Sequence, residues 1–139
     1  MECSEFSFML HPSPLGGVGV FATHDIPIGT HLFNIKLSPQ VKKIKNIPPL
    51  LLQYCIYISD EECLSPKRFD HMQIGWYINH SSTPNILAKK TAAPSLDAIS
   101  TIDNRILFAL RDIKAGDEIL IDYNSLDEPE HLRADYYKK

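Results

Sequence analysis

The sequence predicts a mainly β fold built from bent strand pairs, and an internal repeat, short apolar strands and frequent prolines indicate it. The repeat reads A-x-x-D-I-x-x-G-x-x-(L/I) and occurs at residues 22–32 and again at 109–119. In each copy an apolar strand runs into a polar corner whose glycine can take a positive φ, and a second apolar strand follows. Because only two copies occur, beginning at residues 22 and 109 of the chain, we expect one domain, residues 1–139, with two related halves rather than a solenoid.

The strand pattern is clearest in four segments, at residues 18–22, 31–35, 105–110 and 118–121. The 10 prolines of the chain break up the remaining sequence and favour short elements. Residues 91–104 are small and polar, and we predict a surface loop there.

Two short helices are predicted. The first has a Ser cap and a Pro at its first position, followed by apolar side chains at helical spacing; these residues are Ser65, Pro66, Phe69, Met72, Trp76 and Tyr77. The second is expected near the C-terminus, where Asp127 can cap a helix that Pro129 opens.

Composition excludes several classes of function. A chain of 139 residues can bury roughly 70% of the surface that its unfolded form exposes, which is enough for a real core. The net charge is -3, so nothing draws the whole molecule to nucleic acid or to an anionic membrane. The sequence has no apolar run near the ~18 residues of a membrane span, and its first residues lack the form of a secretion signal. We therefore expect a cytoplasmic protein with neither a membrane nor a nucleic acid as its direct partner.

The cysteines and histidines do not form a metal-binding pattern. Cys3, Cys55 and Cys63 are an odd set with no C-x-x-C pair, which suits a reducing compartment and excludes a four-cysteine zinc site. The six histidines include no H-E-x-x-H motif. We expect no metal.

Three short segments could carry chemistry, and each also has a structural explanation. Residues 15–22 read L-G-G-V-G-V-F-A, which fits a tight turn as well as a cofactor loop but matches neither a Rossmann fingerprint nor a P-loop. Residues 79–85 read N-H-S-S-T-P-N, and such a polar run could satisfy itself through local side-chain bonds. Residues 116–123 read G-D-E-I-L-I-D-Y, and a Tyr at a strand end is usually a core residue.

In order and spacing, however, the three segments resemble the SET-domain family of protein lysine methyltransferases. The first is similar to that family's G-x-G cofactor turn, through Gly17 and Gly19. The second matches N-H-S-x-x-P-N at every fixed position, and the third matches G-(E/D)-E-(L/I)-x-x-D-Y. The resemblance covers about residues 16–123 and leaves 124–139 as a C-terminal segment.

The resemblance implies a fold and a cofactor. It implies the SET-domain β-clip fold, in which small sheets of bent hairpins surround a threaded C-terminal segment, the family's pseudoknot, with a few short helices. It also implies S-adenosylmethionine as methyl donor, S-adenosylhomocysteine as product and a protein substrate whose lysine enters from the opposite face. The residues that would bind the cofactor are Gly17, Val18, Gly19, Asn79 and His80.

The resemblance also assigns catalytic and channel residues. Tyr123 matches the family's invariant tyrosine, which would orient the amine and stabilise the methyl group in flight. Tyr54, in an aromatic strand 54–57, resembles a second channel tyrosine, although a core role fits that strand equally well. Ile121 stands two residues before Tyr123, where a Tyr hydroxyl would hold a water that limits the product, so its apolar side chain implies di- or trimethylation. Tyr136 and Tyr137 are candidate covers of the channel.

The chain departs from the family pattern at several positions. Gln73 and Trp76 replace the usual Asn and Arg of the helix before N-H-S, and Asn124 replaces a Gly that commonly follows D-Y. Asn also tolerates a left-handed turn. The cysteine-rich segments that flank many eukaryotic members are absent, so the C-terminal segment would have to close the channel. Some compact viral and bacterial members complete their site by pairing, which makes a homodimer compatible with this sequence.

Two other functions are compatible with parts of this pattern. A non-catalytic SET-like binding module would keep the fold and lose turnover, but its usual mark, damage at Tyr123 or Asn79-His80, is not seen. Another β-clip binding module could share the A-x-x-D-I-x-x-G corners but would lack the other two motifs. The sequence favours the methyltransferase and leaves its substrate open among a histone, a ribosomal protein and a host protein, with nuclear or host delivery as alternatives to the cytoplasm.

Overall fold

The computed structural model of the protein describes residues 3–32, 35, 37–89 and 106–138. These residues contain nine strands: β1 (Phe8–Pro12), β2 (Val18–Ala22), β3 (Gln40–Lys43), β4 (Ile56–Tyr57), β5 (Glu62–Ser65), β6 (Asn79–His80), β7 (Ile86–Lys89), β8 (Ile106–Ala109) and β9 (Leu120–Ile121). They also contain 3-10 helices at Ile44–Asn46, Pro49–Tyr54, Ile74–Tyr77, Tyr123–Leu126 and Glu130–Leu132. The mainly β fold with few short helices is confirmed.

The strands pair in small sheets. Antiparallel pairs join β1 to β2 and β7 to β8, and a three-stranded sheet has the order β3-β5-β4. The remaining pair, β6 with β9, is parallel and joins segments about 40 residues apart in sequence. A two-residue parallel contact contributes few hydrogen bonds, so its position depends on the surrounding core.

The two copies of the sequence repeat contact each other about a pseudo-twofold axis. Ile26 and Ile113, at equivalent positions of the corners, exchange both backbone hydrogen bonds, at 2.7 and 2.8 Å. The flanking strands are bridged in the same reciprocal way, at Phe21↔Glu118 and His31↔Phe108.

Each corner is closed by a hydrogen bond to the aspartate of the other copy of the repeat. The Asp25 carboxylate accepts a hydrogen bond from the Ala115 N–H at 2.9 Å, and Asp112 accepts one from the Ile28 N–H at 2.8 Å. The corner glycines take the positive φ predicted for them, 84° at Gly29 and 91° at Gly116. The sequence repeat therefore corresponds to two corners that stabilise one another, which explains why aspartate and glycine recur at those positions.

The main hydrophobic core lies between these corners and the parallel pair. Its side chains are mostly aliphatic, and each buried one contributes about 1.5–3 kcal/mol relative to exposure. Fully buried members are Val20, Ala22, Ile26, Leu32, Ile86, Ile113 and Ile119. A smaller cluster of Ile56, Leu64 and Trp76 packs beneath the three-stranded sheet.

The first predicted helix is wrong in extent. Ser65 ends β5 instead of capping a helix, and only Ile74–Tyr77 forms a 3-10 turn. The carbonyls of Pro66 and Lys67, which a helix would use for its own N–H groups, accept hydrogen bonds from the Lys42 ammonium at 2.7 and 3.0 Å. The apolar spacing still marked buried residues, because Trp76 is 7% exposed.

The second predicted helix is also shorter than expected. Asp127 has φ 62° and ends the 3-10 helix Tyr123–Leu126, so it does not cap a following helix. Only Glu130–Leu132 follows, as a single 3-10 turn after Pro129. Because Asp127 takes the left-handed conformation, the chain turns sharply before Pro129.

The predicted strands are confirmed in part. The strand at 18–22 matches β2, and those at 105–110 and 118–121 contain β8 and β9. The segment 31–35 is reduced to one bridge at His31, and the aromatic strand 54–57 is reduced to β4, because Tyr54 ends the 3-10 helix that Pro49 begins. Residues 33, 34 and 105 and the predicted loop 91–104 lie outside the described residues.

Across the described ranges, none of the helices has the length and apolar character needed to cross a membrane.

Candidate active site

The parallel pairing of β6 with β9 brings the second and third sequence motifs together. Asn79 lies opposite Leu120, and His80 lies opposite Ile121. Just beyond β9, the backbone N–H of Tyr123 donates to Nδ1 of His80 at 3.0 Å. Nδ1 is therefore an acceptor, which places the imidazole proton on Nε2. This junction is the contact that the predicted threaded C-terminal segment requires.

Asn79 joins the second motif to the glycine turn. Its Nδ2 donates to the Glu118 carboxylate at 2.8 Å and to the Val18 carbonyl at 3.2 Å. Both partners can only accept, so the amide nitrogen must face them. The Asn79 Oδ1 atom is then the group that the side chain can offer as an acceptor to a ligand.

Glu118 occupies the centre of this arrangement. Its second oxygen accepts a hydrogen bond from the Ser13 hydroxyl at 2.8 Å. A Cβ added at Gly19 would collide with the Glu118 carboxylate and would lie 3.0 Å from the Asn79 amide. Gly19 therefore leaves room for the Glu118 side chain, which lies against its backbone. Sequence reasoning placed Glu118 in a motif but gave it no role, and it missed Ser13.

Glycine is required at the first two positions of the turn for a different reason. Gly16 and Gly17 have φ of 109° and 62°, and a Cβ added at either would meet nothing within 4 Å. Backbone conformation, rather than space, requires glycine there. Val18 is 44% exposed, so the turn presents its backbone at the surface, where a ligand can reach it.

Tyr123 is held by its hydroxyl as well as by its backbone. The hydroxyl donates to the Ile78 carbonyl at 2.6 Å, directly before the Asn79-His80 pair. Burial raises the pKa of Tyr123 well above its usual value, so the side chain is a neutral phenol at physiological pH. Because its proton is used on Ile78, the phenol oxygen can accept a further hydrogen bond through its lone pairs.

An aromatic cluster covers this junction. Tyr137 packs on Tyr123 with ring centroids 5.3 Å apart and on His80 at 5.6 Å, and it is only 8% exposed. Tyr136 lies 5.0 Å from Tyr137 but is 71% exposed. Of the two predicted covers, Tyr137 is therefore a buried wall of the site, and Tyr136 lies at its outer edge.

Asn124 ties the C-terminal segment to the site. Its Nδ2 donates to the Tyr137 carbonyl at 2.7 Å and to the Asp122 carboxylate at 2.9 Å. Its backbone lies in the 3-10 helix, so the left-handed turn expected at Asn124 is found at Asp127 instead. The Asn that replaces the common Gly therefore contributes through its side chain.

The two remaining channel candidates lie in different surroundings. Ile121 is 7% exposed and belongs to the main core. The Tyr54 ring contacts Tyr77 at 6.1 Å, and Tyr77 in turn packs against that same core. The structure thus gathers Val18, Gly19, Asn79, His80 and Tyr123 around one junction. Gly17 precedes Val18 in the exposed turn, and Tyr54 is one ring removed from the core.

The acidic, histidine and cysteine side chains that the structure describes are dispersed with respect to metal binding. Within that part of the chain, no group of three or more His, Cys, Asp or Glu residues is placed to hold a metal ion. Cys3, Cys55 and Cys63 are all free thiols in buried positions.

Comparisons with known proteins agree with this geometry. Residues 17–124 match the family model of the SET domain. Among solved structures, the chain is similar to a Plasmodium falciparum protein described as a "putative histone methyltransferase", with 28% identity and a TM-score of 0.51. The superposition covers 84% of this chain and 96% of that one. A comparison with curated proteins finds no match.

The family match extends from the glycine turn to the residue after Tyr123, and therefore contains every motif that meets at the junction. It covers well over half of the sequence. The chain belongs to the SET domain family.

Proposed function

We propose that the protein is an S-adenosylmethionine-dependent protein lysine N-methyltransferase. Its family and its similarity to a structure described as a histone methyltransferase support a lysine methyltransferase type of function. The observation that carries the finer proposal is the Tyr123 hydroxyl, held on the Ile78 carbonyl beside Asn79 and His80. A module that had lost Tyr123 or the Asn79-His80 pair would lack this arrangement.

The residues around the glycine turn fit the proposed cofactor. S-adenosylmethionine, when bound, supplies a methyl group activated by a positively charged sulfonium, and it also carries an ammonium group. Asn79 offers an acceptor oxygen, the turn at Gly17 and Val18 exposes its backbone, and the Glu118 carboxylate adds negative charge. Acceptors and negative charge suit a ligand with cationic groups. His80 is the remaining member of the proposed cofactor-binding set, and its Nδ1 atom is held by the backbone N–H of Tyr123.

Tyr123 would act on the acceptor amine. A lysine amine has a pKa near ~10.4 in water, and a dry site next to a positive charge favours loss of its proton. The phenol oxygen can then accept an N–H bond from the neutral amine and aim the nitrogen lone pair. The lysine ammonium would first lose a proton to solvent. The neutral nitrogen would then form the N–C bond as the C–S bond broke, which would give a methylated ammonium and a neutral thioether. Holding the two groups in line is the main source of rate.

The Tyr123 hydroxyl oxygen and the Ile78 carbonyl oxygen can also stabilise the transferring methyl group. The Tyr123 hydroxyl oxygen and the Ile78 carbonyl oxygen lie 2.6 Å apart, so they form a compact polar patch at the junction. Weak C–H···O contacts to such a patch contribute modestly and favour an in-line methyl group. The proposed chemistry therefore needs no metal.

We further propose that the product is di- or trimethyl-lysine. The position two residues before Tyr123 is Ile121, whose aliphatic side chain offers no hydroxyl to hold a water. An apolar pocket stays dry and leaves room for a methylated amine to turn. A hydroxyl from another element, that of Tyr54 or Tyr57, is the group that could reverse this result.

The proposed partner is a protein with an accessible lysine, and a histone is the first substrate to try, given the printed description of the similar structure. Membrane and nucleic-acid partners are not part of the proposal, in keeping with the net charge of -3. A cytoplasmic location is proposed because the three thiols are unpaired, as suits a reducing compartment. Pairing into a homodimer is tested by sedimentation of the purified protein.

Calorimetric titration with S-adenosylmethionine tests the cofactor assignment. We expect saturable binding to one site per chain, and weaker binding in the Asn79→Ala variant. A folded protein that shows no binding heat and no protection from thermal unfolding by the cofactor would contradict the proposal.

A further inference from the structure

Within the C-terminal segment, residues 127–138 are anchored by a buried carboxylate outside the family motifs. Glu128 is 5% exposed. One carboxylate oxygen accepts the Tyr137 hydroxyl at 2.5 Å, and the other accepts the backbone N–H of Tyr57 at 2.9 Å. The Arg133 guanidinium closes the turn by donating to the Glu128 backbone carbonyl at 2.9 Å.

These bonds connect the three-stranded sheet to the aromatic cluster that covers the candidate active site. Tyr57 belongs to β4, at the edge of the three-stranded sheet, and it is 71 residues from Glu128 in sequence. Tyr137 packs on the rings of Tyr123 and His80. The Glu128 side chain thus links the sheet to the ring that covers the proposed catalytic tyrosine.

A carboxylate is buried only when its oxygens are hydrogen-bonded, because desolvation of an unpaired charge is costly. Both Glu128 oxygens are bonded, and each donor is a group whose position matters: a main-chain N–H and a Tyr hydroxyl. Removing the carboxylate would leave both donors buried without an acceptor. The tail would then separate from β4, and the Tyr137 ring would lose its anchor.

We propose that Glu128 is a positioning residue of the proposed methyltransferase site: it holds the C-terminal segment on β4 so that Tyr137 packs against Tyr123 and His80. The inference rests on the proposed function for its catalytic consequence. Glu128 does not touch the reacting groups and acts through Tyr137. Cofactor affinity should fall less than turnover, because Glu118 and Asn79 hold the glycine turn independently of Glu128, and His80 is the member of the proposed cofactor set that Tyr137 contacts.

Two substitutions separate hydrogen-bond geometry from charge. In Glu128→Gln the amide oxygen can accept from Tyr57 and the amide nitrogen can donate to the Tyr137 oxygen, so the clasp can form without charge. In Glu128→Ala both bonds are lost. Tyr137→Phe is the matched variant on the other side, because it removes one hydroxyl and keeps the ring.

The first readout does not depend on activity. Hydrogen exchange resolved by NMR should show the Tyr57 amide exchanging at least about tenfold faster in Glu128→Ala, as expected when a hydrogen bond to a charged acceptor is lost. Glu128→Gln should stay close to wild type, and the Tyr123 amide resonance should move in Glu128→Ala alone. Unchanged Tyr57 exchange and an unmoved Tyr123 resonance in folded Glu128→Ala would overturn the proposal.

The second readout is kinetic. Because small misplacements at a reacting site can cost about 100-fold, kcat/KM for the lysine substrate should fall between tenfold and 100-fold in Glu128→Ala, with little change in cofactor Kd. Glu128→Gln should restore most of the activity. A Gln variant as impaired as the Ala variant would show that charge matters instead of geometry, and would overturn the proposal.

A double variant gives the third readout. If Glu128 and Tyr137 act through one clasp, Tyr137→Phe should add little to Glu128→Ala, whereas independent effects would multiply. Multiplying effects would overturn the proposal. Should wild-type protein transfer no methyl group at all, the proposed function fails, while the exchange and resonance measurements still decide whether Glu128 positions the tail.

Discussion

At the scale of single residues, the site depends on side chains whose hydrogen bonds fix their orientation. Asn79 has its amide nitrogen committed to Glu118 and Val18, and Tyr123 has its proton committed to Ile78. Each therefore presents an oxygen to an incoming ligand. The sequence motifs named Asn79 and Tyr123, but only the structure shows which atom of each remains to be used.

Asn79→Ala should weaken the binding of S-adenosylhomocysteine by at least about tenfold, because a hydrogen bond to a charged group is worth about 1.5–3 kcal/mol. Calorimetry on the folded variant measures the change. Ser13→Ala is the control, since it removes the other partner of Glu118 without touching the ligand-facing amide. Equal affinity in Asn79→Ala and wild type would show that the ligand is not bound here.

Tyr123→Phe should keep cofactor affinity and lower turnover by about 100-fold, because the hydroxyl aligns the amine rather than the adenosine. The variant also leaves the Ile78 carbonyl without its donor, so its melting temperature should fall modestly. Cofactor titration and single-turnover methylation are measured on the same preparation. Loss of affinity together with turnover would indicate a purely structural tyrosine.

Ile121→Tyr should shift the products toward monomethyl-lysine, because the new hydroxyl could hold a water in the pocket. Ile121 is buried in the main core, so overpacking should cost about 1–3 kcal/mol. Ile121→Phe is the matched control, with a similar ring and no hydroxyl, and it should keep the higher methylation states. Mass spectrometry of a methylated substrate reads both, and a wild-type enzyme that stops at one methyl refutes the argument.

At the scale of elements, the strand that leads into each corner was predictable, whereas the strand after the first corner and the helices were not. The corners at Gly29 and Gly116 depend on a glycine with positive φ and on apolar residues beside it in the chain. Both features are local, so they can be identified from the sequence. The helix expected after Ser65 fails because the Lys42 ammonium, from a distant strand, takes the carbonyls of Pro66 and Lys67. Such tertiary competition leaves no trace in local periodicity.

Gly29→Ala and Gly116→Ala should each lower the free energy of unfolding by about 1–2 kcal/mol, the cost of placing an L-residue at positive φ. An added Cβ meets nothing within 4 Å at either site, so sterics with neighbours do not contribute. Urea denaturation measures the two variants side by side. Because the corners are equivalent, a large loss in one and none in the other would contradict the pseudo-twofold account.

At the scale of the whole molecule, the candidate site could be predicted as far as its motifs reach. Asn79, His80 and Tyr123 lie at the junction where β6 meets β9, and Val18 of the glycine turn accepts a hydrogen bond from Asn79. Glu128 could not be found from the sequence, because its partners are a main-chain N–H 71 residues away and a tail hydroxyl. A single buried carboxylate has no spacing signature, and only folding brings its donors together.

Alkaline pH should destabilise the whole fold. Burial raises the pKa of Cys55 to about 12, and burial also raises the pKa of Tyr123 and Tyr137. In the unfolded chain these groups lose protons near ~8.5 for Cys and ~10 for Tyr. Above those values the folded state binds more protons, so the free energy of unfolding must fall as pH rises.

The thiol contribution is fully present below about pH 8.5 and is lost as pH rises toward the folded pKa of about 12. Urea denaturation between pH 7.5 and 10.5 should show the decline, and Cys55→Ala should flatten its first part. A free energy of unfolding that stays constant over this range would contradict the burial of these groups.

The most direct test of the central claim is mass spectrometry of lysines after incubation of the protein with a proteome lysate and S-adenosylmethionine carrying a deuterated methyl group. The account predicts labelled methyl groups on lysine side chains with wild-type protein, and their loss with folded Tyr123→Phe that still binds the cofactor. Wild-type protein that binds the cofactor but labels no lysine, or labelling that persists undiminished in Tyr123→Phe, would contradict it.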